Sequence, residues 1–206
     1  MAGMNFLESS NRWSDGYAAV VIGASAGGTA PLSAILQALP ANYSLPVIVV
    51  QHLHPQQEGP AIFYKSKCCQ INLKEAAEKE ALLAGWVYFA PPNYHLLVED
   101  DRTFALSVDP KVNYSRPSID VLFESASEVY GALLVGVVLS GANDDGANGL
   151  KAIQERGGLA VVQDPASAEM PYMPQAALAV VQADYTLLPE QIGALLCKIG
   201  EHARKV

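Results

Sequence analysis

Basic residues are scarce in this 206-residue chain: 13 Lys and Arg stand against 21 Asp and Glu, for a formal charge of -8 and a pI near 4.9. Lys and Arg nowhere cluster as a phosphate-backbone binder requires, which argues against nucleic acid as a partner. Charge of either sign is thin, at 17% of residues, below the roughly 25% of an average soluble domain. With half the residues apolar, the chain can bury a large core, and long intrinsic disorder is excluded. Cysteine is limited to Cys68, Cys69 and Cys197, with no C-x-x-C spacing. That supports neither a disulfide framework nor a thiolate metal site, and fits thiols of a reducing compartment. No basic stretch followed by an apolar run opens the chain, so no secretory signal is expected. The longest apolar runs fall well short of the roughly 18 residues of a membrane span. The expectation is a cytoplasmic protein with no direct membrane insertion.

What is present is a regular alternation of short apolar runs and helical patterns. Met1 to Asp15 lacks periodicity and reads as a loose leader, leaving 16–206 as a single domain. Tyr17 to Gly23 is a buried-strand pattern, followed by glycines and an amphipathic helix that ends at Leu39 before Pro40. Pro46 to Gln51 is a second buried strand, nearly continuous in Val and Ile, as in a parallel sheet covered on both faces. Residues 60–67 have a helical pattern, and Ile71 to Ala76 fits strand and helix equally. Trp86 to Ala90 is a strand; His95 to Val98 and Thr103 to Val108 make a hairpin around E-D-D-R. Ser118 to Tyr130 is a helix N-capped by Ser118. The strand Leu133 to Leu139 precedes a helix from Gly146 to Arg156, stopped by Gly157 and Gly158. The strand Leu159 to Gln163 and helices at Met173 to Val180 and Pro189 to Gly200 complete the chain. This order predicts an α/β fold: a doubly wound, mostly parallel sheet with helices on both faces and one antiparallel hairpin excursion.

In such folds sites lie beyond the carboxyl ends of the strands. Three predicted strand ends carry unusual polar residues: G-A-S-A-G-G (Gly23 to Gly28), Q-H-L-H-P (Gln51 to Pro55) and S-G-A-N-D-D-G (Ser140 to Gly146). Gly23-x-Ser25-x-Gly27 matches the strand-to-helix turn that lifts a serine hydroxyl out of a sheet. Ser25 as a mere helix cap is the competing reading. His52 ends the adjoining strand, where its ring can meet Ser25. With His54 it also forms an H-x-H pair, but a metal needs a third ligand, and His95 or an Asp stands at no recognised spacing. A serine nucleophile needs a base, and the base an orienting carboxylate, for which Asp144 and Asp145 are both available. The order Ser, His, Asp differs from that of ordinary α/β-hydrolases. Phosphate-binding readings fit poorly: the spacing is G-x-x-x-G-G, no Lys follows, and Gln51 replaces the acidic residue that would hold a ribose.

Taken in order, six strings resemble the catalytic domain of the bacterial chemotaxis protein-glutamate methylesterases of the CheB type. They are V-V-I-G-A-S-A-G-G-T (Val20 to Thr29), V-V-Q-H-L-H-P (Val49 to Pro55), Y-F-A-P-P-N-Y-H (Tyr88 to His95), N-Y-S-R-P-S-I-D-V-L-F-E-S-A (Asn113 to Ala126), V-L-S-G-A-N-D-D-G-A-N-G (Val138 to Gly149) and M-P-Q-A-A (Met173 to Ala177). The resemblance implies that Ser25 is the nucleophile, His52 the base and Asp145, which directly precedes Gly146, the orienter. It places the oxyanion donors at the backbone N–H groups of Ala26 and Ala142, where the family often has Thr and Met. It implies hydrolysis of glutamate γ-methyl esters, and in some members glutamine deamidation, on methylated chemoreceptor-type proteins, with no cofactor and no metal. Family members commonly carry a phosphorylatable receiver domain ahead of this unit. Met1 to Asp15 is too short for one, so no receiver domain is expected and control would fall to a separate regulatory chain. The alternative is a catalytically idle signalling module that binds receptor or kinase complexes.

Overall fold

The computed structural model of the chain describes residues 16–52, 64 and 69–203. Seven strands form one sheet: β1 (Ala19–Ala24), β2 (Val47–Gln51), β3 (Asn72–Glu75), β4 (Trp86–Phe89), β7 (Leu134–Val138), β8 (Leu159–Gln163) and β9 (Tyr185–Leu187). Their order is β3-β4-β2-β1-β7-β8-β9, and every neighbouring pair is parallel. The antiparallel hairpin β5 (His95–Val98) and β6 (Phe104–Ser107) forms a sheet of its own. Five α-helices are described: α1 (Thr29–Ala38), α2 (Ile119–Tyr130), α3 (Ala147–Glu155), α4 (Tyr172–Val180) and α5 (Pro189–Glu201). None of the described helices is long and apolar enough to cross a membrane. The expected fold is the observed one.

Alternation along the strands divides the core in two. Val20, Ile22 and Ala24 of β1 face one layer, with Leu32, Ile35 and Leu36 of α1 and Ile192, Leu195 and Leu196 of α5. Ala19 and Val21 face the other, with Ile119, Leu122 and Phe123 of α2, Leu150 and Ile153 of α3, and Ala177 of α4. Strands β1, β2, β7 and β8 are buried along their whole length. This explains their unbroken Val/Ile runs, because a strand covered on both faces has no polar side to alternate with.

Two segments depart from the periodicity. The ambiguous stretch at 71–76 contains the edge strand β3, whose burial alternates around Leu73; four residues are too few to distinguish its period from a helix turn. The three-residue edge strand β9 gave no strand signal; parallel pairing with β8 creates it. Of the expected helix at 60–67, only Tyr64, which is helical, lies within the described residues.

From β1 the sheet grows to one side through β2, β4 and β3, and to the other through β7, β8 and β9. The winding therefore reverses between β1 and β7. Loops diverge at such a switch point and leave a crevice above the strand ends.

Candidate active site

At that crevice the backbone hydrogen bonds continue past the strands. The His52 N–H donates to Ala24 O, the Ser25 N–H to Ser140 O and the Leu139 N–H to Gly23 O, each at 2.9 Å. The first residues beyond β1, β2 and β7 are thus held in one frame. After Ser25 the chain turns sharply: the Gly28 N–H donates to Ser25 O at 2.9 Å, and Gly27 takes φ +70°. A Cβ at Gly27 would lie 2.7 Å from Ser140 Oγ and from Glu169 Cβ, so both the left-handed backbone and the crowding select glycine. The N-cap of α1 is Gly28 and receives no side-chain cap bond. Ser25 is therefore not the cap; its Oγ lies 3.1 Å from His52 Nδ1.

The other ring nitrogen, His52 Nε2, lies 3.0 Å from Asp145 Oδ2. The carboxylate meets the ring off the straight N–H direction, a looseness common in catalytic histidines before the transition state. Asp145 is fully buried, whereas Asp144 is exposed. The Asp145 carboxylate sits against the start of α2, accepting from the N–H of Ile119 at 2.8 Å, the N–H of Asp120 at 3.0 Å and Ser118 Oγ at 2.8 Å. Burial alone raises its pKa, but the His52 contact and the N–H groups of Asp120 and Ile119 outweigh that and leave it below the ordinary carboxylate value. A buried anion facing unpaired helix N–H groups is a stable arrangement.

Several residues around this trio have parts in the site that the sequence did not assign to them. Ser140 is buried; its Oγ donates to Ala26 O at 2.9 Å and accepts from the Met170 N–H at 3.0 Å. Its N–H donates to Gln163 Oε1 at 2.9 Å. The Ser118 N–H donates to His95 Nδ1 at 3.2 Å, and the opposite ring nitrogen reaches Pro110 O at 3.1 Å. His95 thus supports the start of α2. No group of three or more His, Cys, Asp or Glu among the described residues could hold a metal ion, and His54 lies outside those residues. Ser118 was identifiable as an N-cap, and its side chain does accept from the Val121 N–H. Its hydrogen bond to Asp145 spans 27 positions, which local pattern cannot register.

Fold and site together define a doubly wound α/β domain with a hydroxyl, an imidazole and a buried carboxylate in line at its switch point. The chain belongs to the CheB methylesterase family, whose model matches residues 20–196. A Leptospira interrogans protein provisionally named protein-glutamate methylesterase/protein-glutamine glutaminase is 51% identical over 186 residues, covering 90% of this chain and 96% of the relative. A Chromohalobacter salexigens protein-glutamate methylesterase/protein-glutamine glutaminase is 37% identical over 191 residues, covering 88% of this chain; there the chain spans 52% of the relative's length. The crystal structure of the Thermotoga maritima CheB methylesterase catalytic domain superposes with a TM-score of 0.85 at 31% identity, covering 89% of this chain and 98% of that one. The resemblance carried by the six strings is borne out.

Proposed function

We propose that this chain hydrolyses glutamate γ-methyl esters on methylated chemoreceptor-type proteins in the cytoplasm, with Ser25, His52 and Asp145 as its catalytic triad. The observation that carries this reading is the unbroken run of contacts, 3.1 Å from Ser25 Oγ to His52 Nδ1 and 3.0 Å from His52 Nε2 to Asp145 Oδ2. The Asp145 pKa lies below its ordinary value, so the carboxylate is ionised and favours the tautomer with its proton on Nε2. That leaves the Nδ1 lone pair facing the Ser25 hydroxyl. As Oγ attacks the ester carbonyl, Nδ1 takes the hydroxyl proton and Asp145 stabilises the imidazolium. The proton then passes to the departing methoxide, methanol leaves, and water clears the acyl-enzyme by the reverse route.

The charge that develops on the carbonyl oxygen requires N–H donors that are not already engaged. The Ser25 N–H is bonded to Ser140 O and the Gly141 N–H to Met170 O. We assign the oxyanion site to the next N–H groups along these two loops, those of Ala26 and Ala142. Both are backbone donors, so alanine in place of Thr and Met leaves them in position. The same site accommodates a glutamine carboxamide with ammonia as leaving group, which supports a second, deamidating activity. Control by a separate regulatory chain remains part of the proposal.

The test is methanol release from a methylated receptor. Ser25→Ala is expected to lower turnover by roughly three to six powers of ten, the scale of losing a triad nucleophile, with the fold intact by circular dichroism. Near-parental methanol release by Ser25→Ala would reject Ser25 as the nucleophile, whereas no methanol release by the parent chain would leave the idle-module reading.

A further inference from the structure

Two aspartates, one in the first turn of α2 and one in the loop before α3, each reach across to the start of the other helix. Asp145 lies in the residue pair just before α3 but accepts from the N–H groups of Ile119 and Asp120 at the start of α2. Asp120, in the first turn of α2, reaches the opposite way: its Oδ1 accepts from the N–H groups of Gly146 at 2.9 Å and Gly149 at 2.7 Å, at the start of α3. Asn113 bridges the two, with Nδ2 3.0 Å from Asp120 Oδ2 and 3.4 Å from Asp145 Oδ1. The helices approach closely enough for this exchange because Gly149 has no side chain; a Cβ there would lie 2.5 Å from Phe123 Cβ.

We propose that Asp120 is a positioning residue for the reaction: by gripping the peptide immediately after Asp145, and Asn113 beside it, it fixes the Asp145 carboxylate against His52. The inference rests on the triad reading above. Asp120 has no contact with Ser25 or His52 among the bonds it makes, so its effect must pass through Asp145.

The pairing also has an electrostatic consequence. Asp120 is only 4% exposed; burial raises its pKa most, the Gly149 N–H opposes, and the charge of Asp145 adds, bringing it to about 6. The titratable groups facing it among the described residues are Asp145 from the loop before α3 and Glu124 one turn along α2. Beyond these lie His52, through Asp145, and His95 of β5, through Ser118. Below pH 6 a proton on Oδ2 removes the acceptor that holds Asn113. Ionised, Asp120 adds a second negative charge behind Asp145, which helps the carboxylate stabilise the imidazolium that forms as Ser25 attacks. Both effects place Asp120 on the acid limb of the rate profile.

The experiment compares Asp120→Asn and Asp120→Ala with the parent chain and Ser25→Ala, by methanol release against pH and by ¹⁵N NMR of the histidine rings. Asp120→Asn retains an acceptor for Gly146 and Gly149; it is expected to lose kcat severalfold with KM unchanged, and its acid limb to move to lower pH with one ionisation fewer. Asp120→Ala, which frees the carboxylate, is expected to lose about ten- to a hundredfold in kcat, the scale of misplacing a catalytic group by about 1 Å. The His52 ring is expected to pass from a single tautomer in the parent to a mixture in Asp120→Ala. A fall in kcat with the parental acid limb and the parental His52 tautomer would overturn the inference, as would parental kcat in both variants. Should Asp120→Ala fail to fold, the isosteric Asp120→Asn profile and ring signals decide alone. Ser25→Ala separates the two claims: if it is inactive while the Asp120 variants match the parent, the triad stands and the positioning role falls. If Ser25→Ala is active, the triad falls, and the ring tautomer still reports whether Asp120 holds Asp145.

Discussion

Asp144 and Asp145 are the same chemical group at adjacent positions, and the fold gives them opposite surroundings. Asp144 is exposed and contributes its carbonyl to the turn, accepting from the Ala147 N–H at 3.1 Å. Asp145 is enclosed by the start of α2 and meets His52. Asp145→Asn keeps the shape and some acceptors but forfeits the charge that stabilises the imidazolium. Methanol release is expected to fall by up to about four powers of ten, as in other triads, while Asp144→Asn stays within about twofold because its side chain is exposed and a surface change of that kind does little. Equal losses in the two variants would reject the assignment of Asp145. The order of the residue types along the chain made a serine, a histidine and an aspartate legible as candidates. The choice within the aspartate pair came only from the family resemblance, because which of two neighbouring side chains turns inward depends on a helix 25 positions away.

At the scale of elements, the start of α2 is the structural centre of the site. Ser118 caps this helix through the Val121 N–H and also donates to Asp145, while His95 of β5 supports its backbone N–H. The hairpin excursion therefore contributes to the site by bracing this helix from the side. Ser118→Ala removes a cap and one donor to a buried carboxylate. It is expected to cost about 1–2 kcal/mol of stability, measurable by urea denaturation, together with a loss of activity larger than the stability change explains at temperatures where the variant is folded. A variant destabilised to that extent but fully active would show that Ser118 serves the helix and not Asp145. The cap was readable from Ser118 and the apolar spacing of Ile119, Leu122 and Phe123, since capping is a local interaction. The participation of β5 was not, since nothing in His95 to Val98 names the helix it packs on.

For the whole molecule, the two buried carboxylates act on stability in opposite directions with pH. Asp145 has a folded-state pKa below the ordinary value of 3.8, so its contribution is present above that value and is lost as pH falls through the folded one. Asp120 rises from 3.8 to about 6, so the folded chain holds its proton longer than the unfolded chain does. Stability from this group is present at low pH and declines as pH rises between about 4 and 6, by on the order of 3 kcal/mol. In Asp120→Asn that decline is expected to be absent. Urea denaturation at pH 4, 5, 6 and 7 should show a stability profile with a flatter or more rising slope than the parent's over that window. Parallel profiles would mean that Asp120 does not titrate there. Such coupling is invisible in a sequence, where Asp120 is one acidic residue among 21 acidic side chains.

By itself the sequence determined the alternation of buried strands and helices, the parallel character of the sheet, the turn that carries Ser25 and the capping of α2. Each of these rests on interactions between near neighbours or on a period that a short window records. The tertiary structure decided the order β3-β4-β2-β1-β7-β8-β9, the creation of β9 as an edge, the contact of Ser25 with His52 and of His52 with Asp145, and the exchange of caps between Asp120 and Asp145. These depend on which strand ends and helix starts the closed sheet brings together. That proximity is set by burial of the two core layers over the whole chain, and no local stretch of residues contains it.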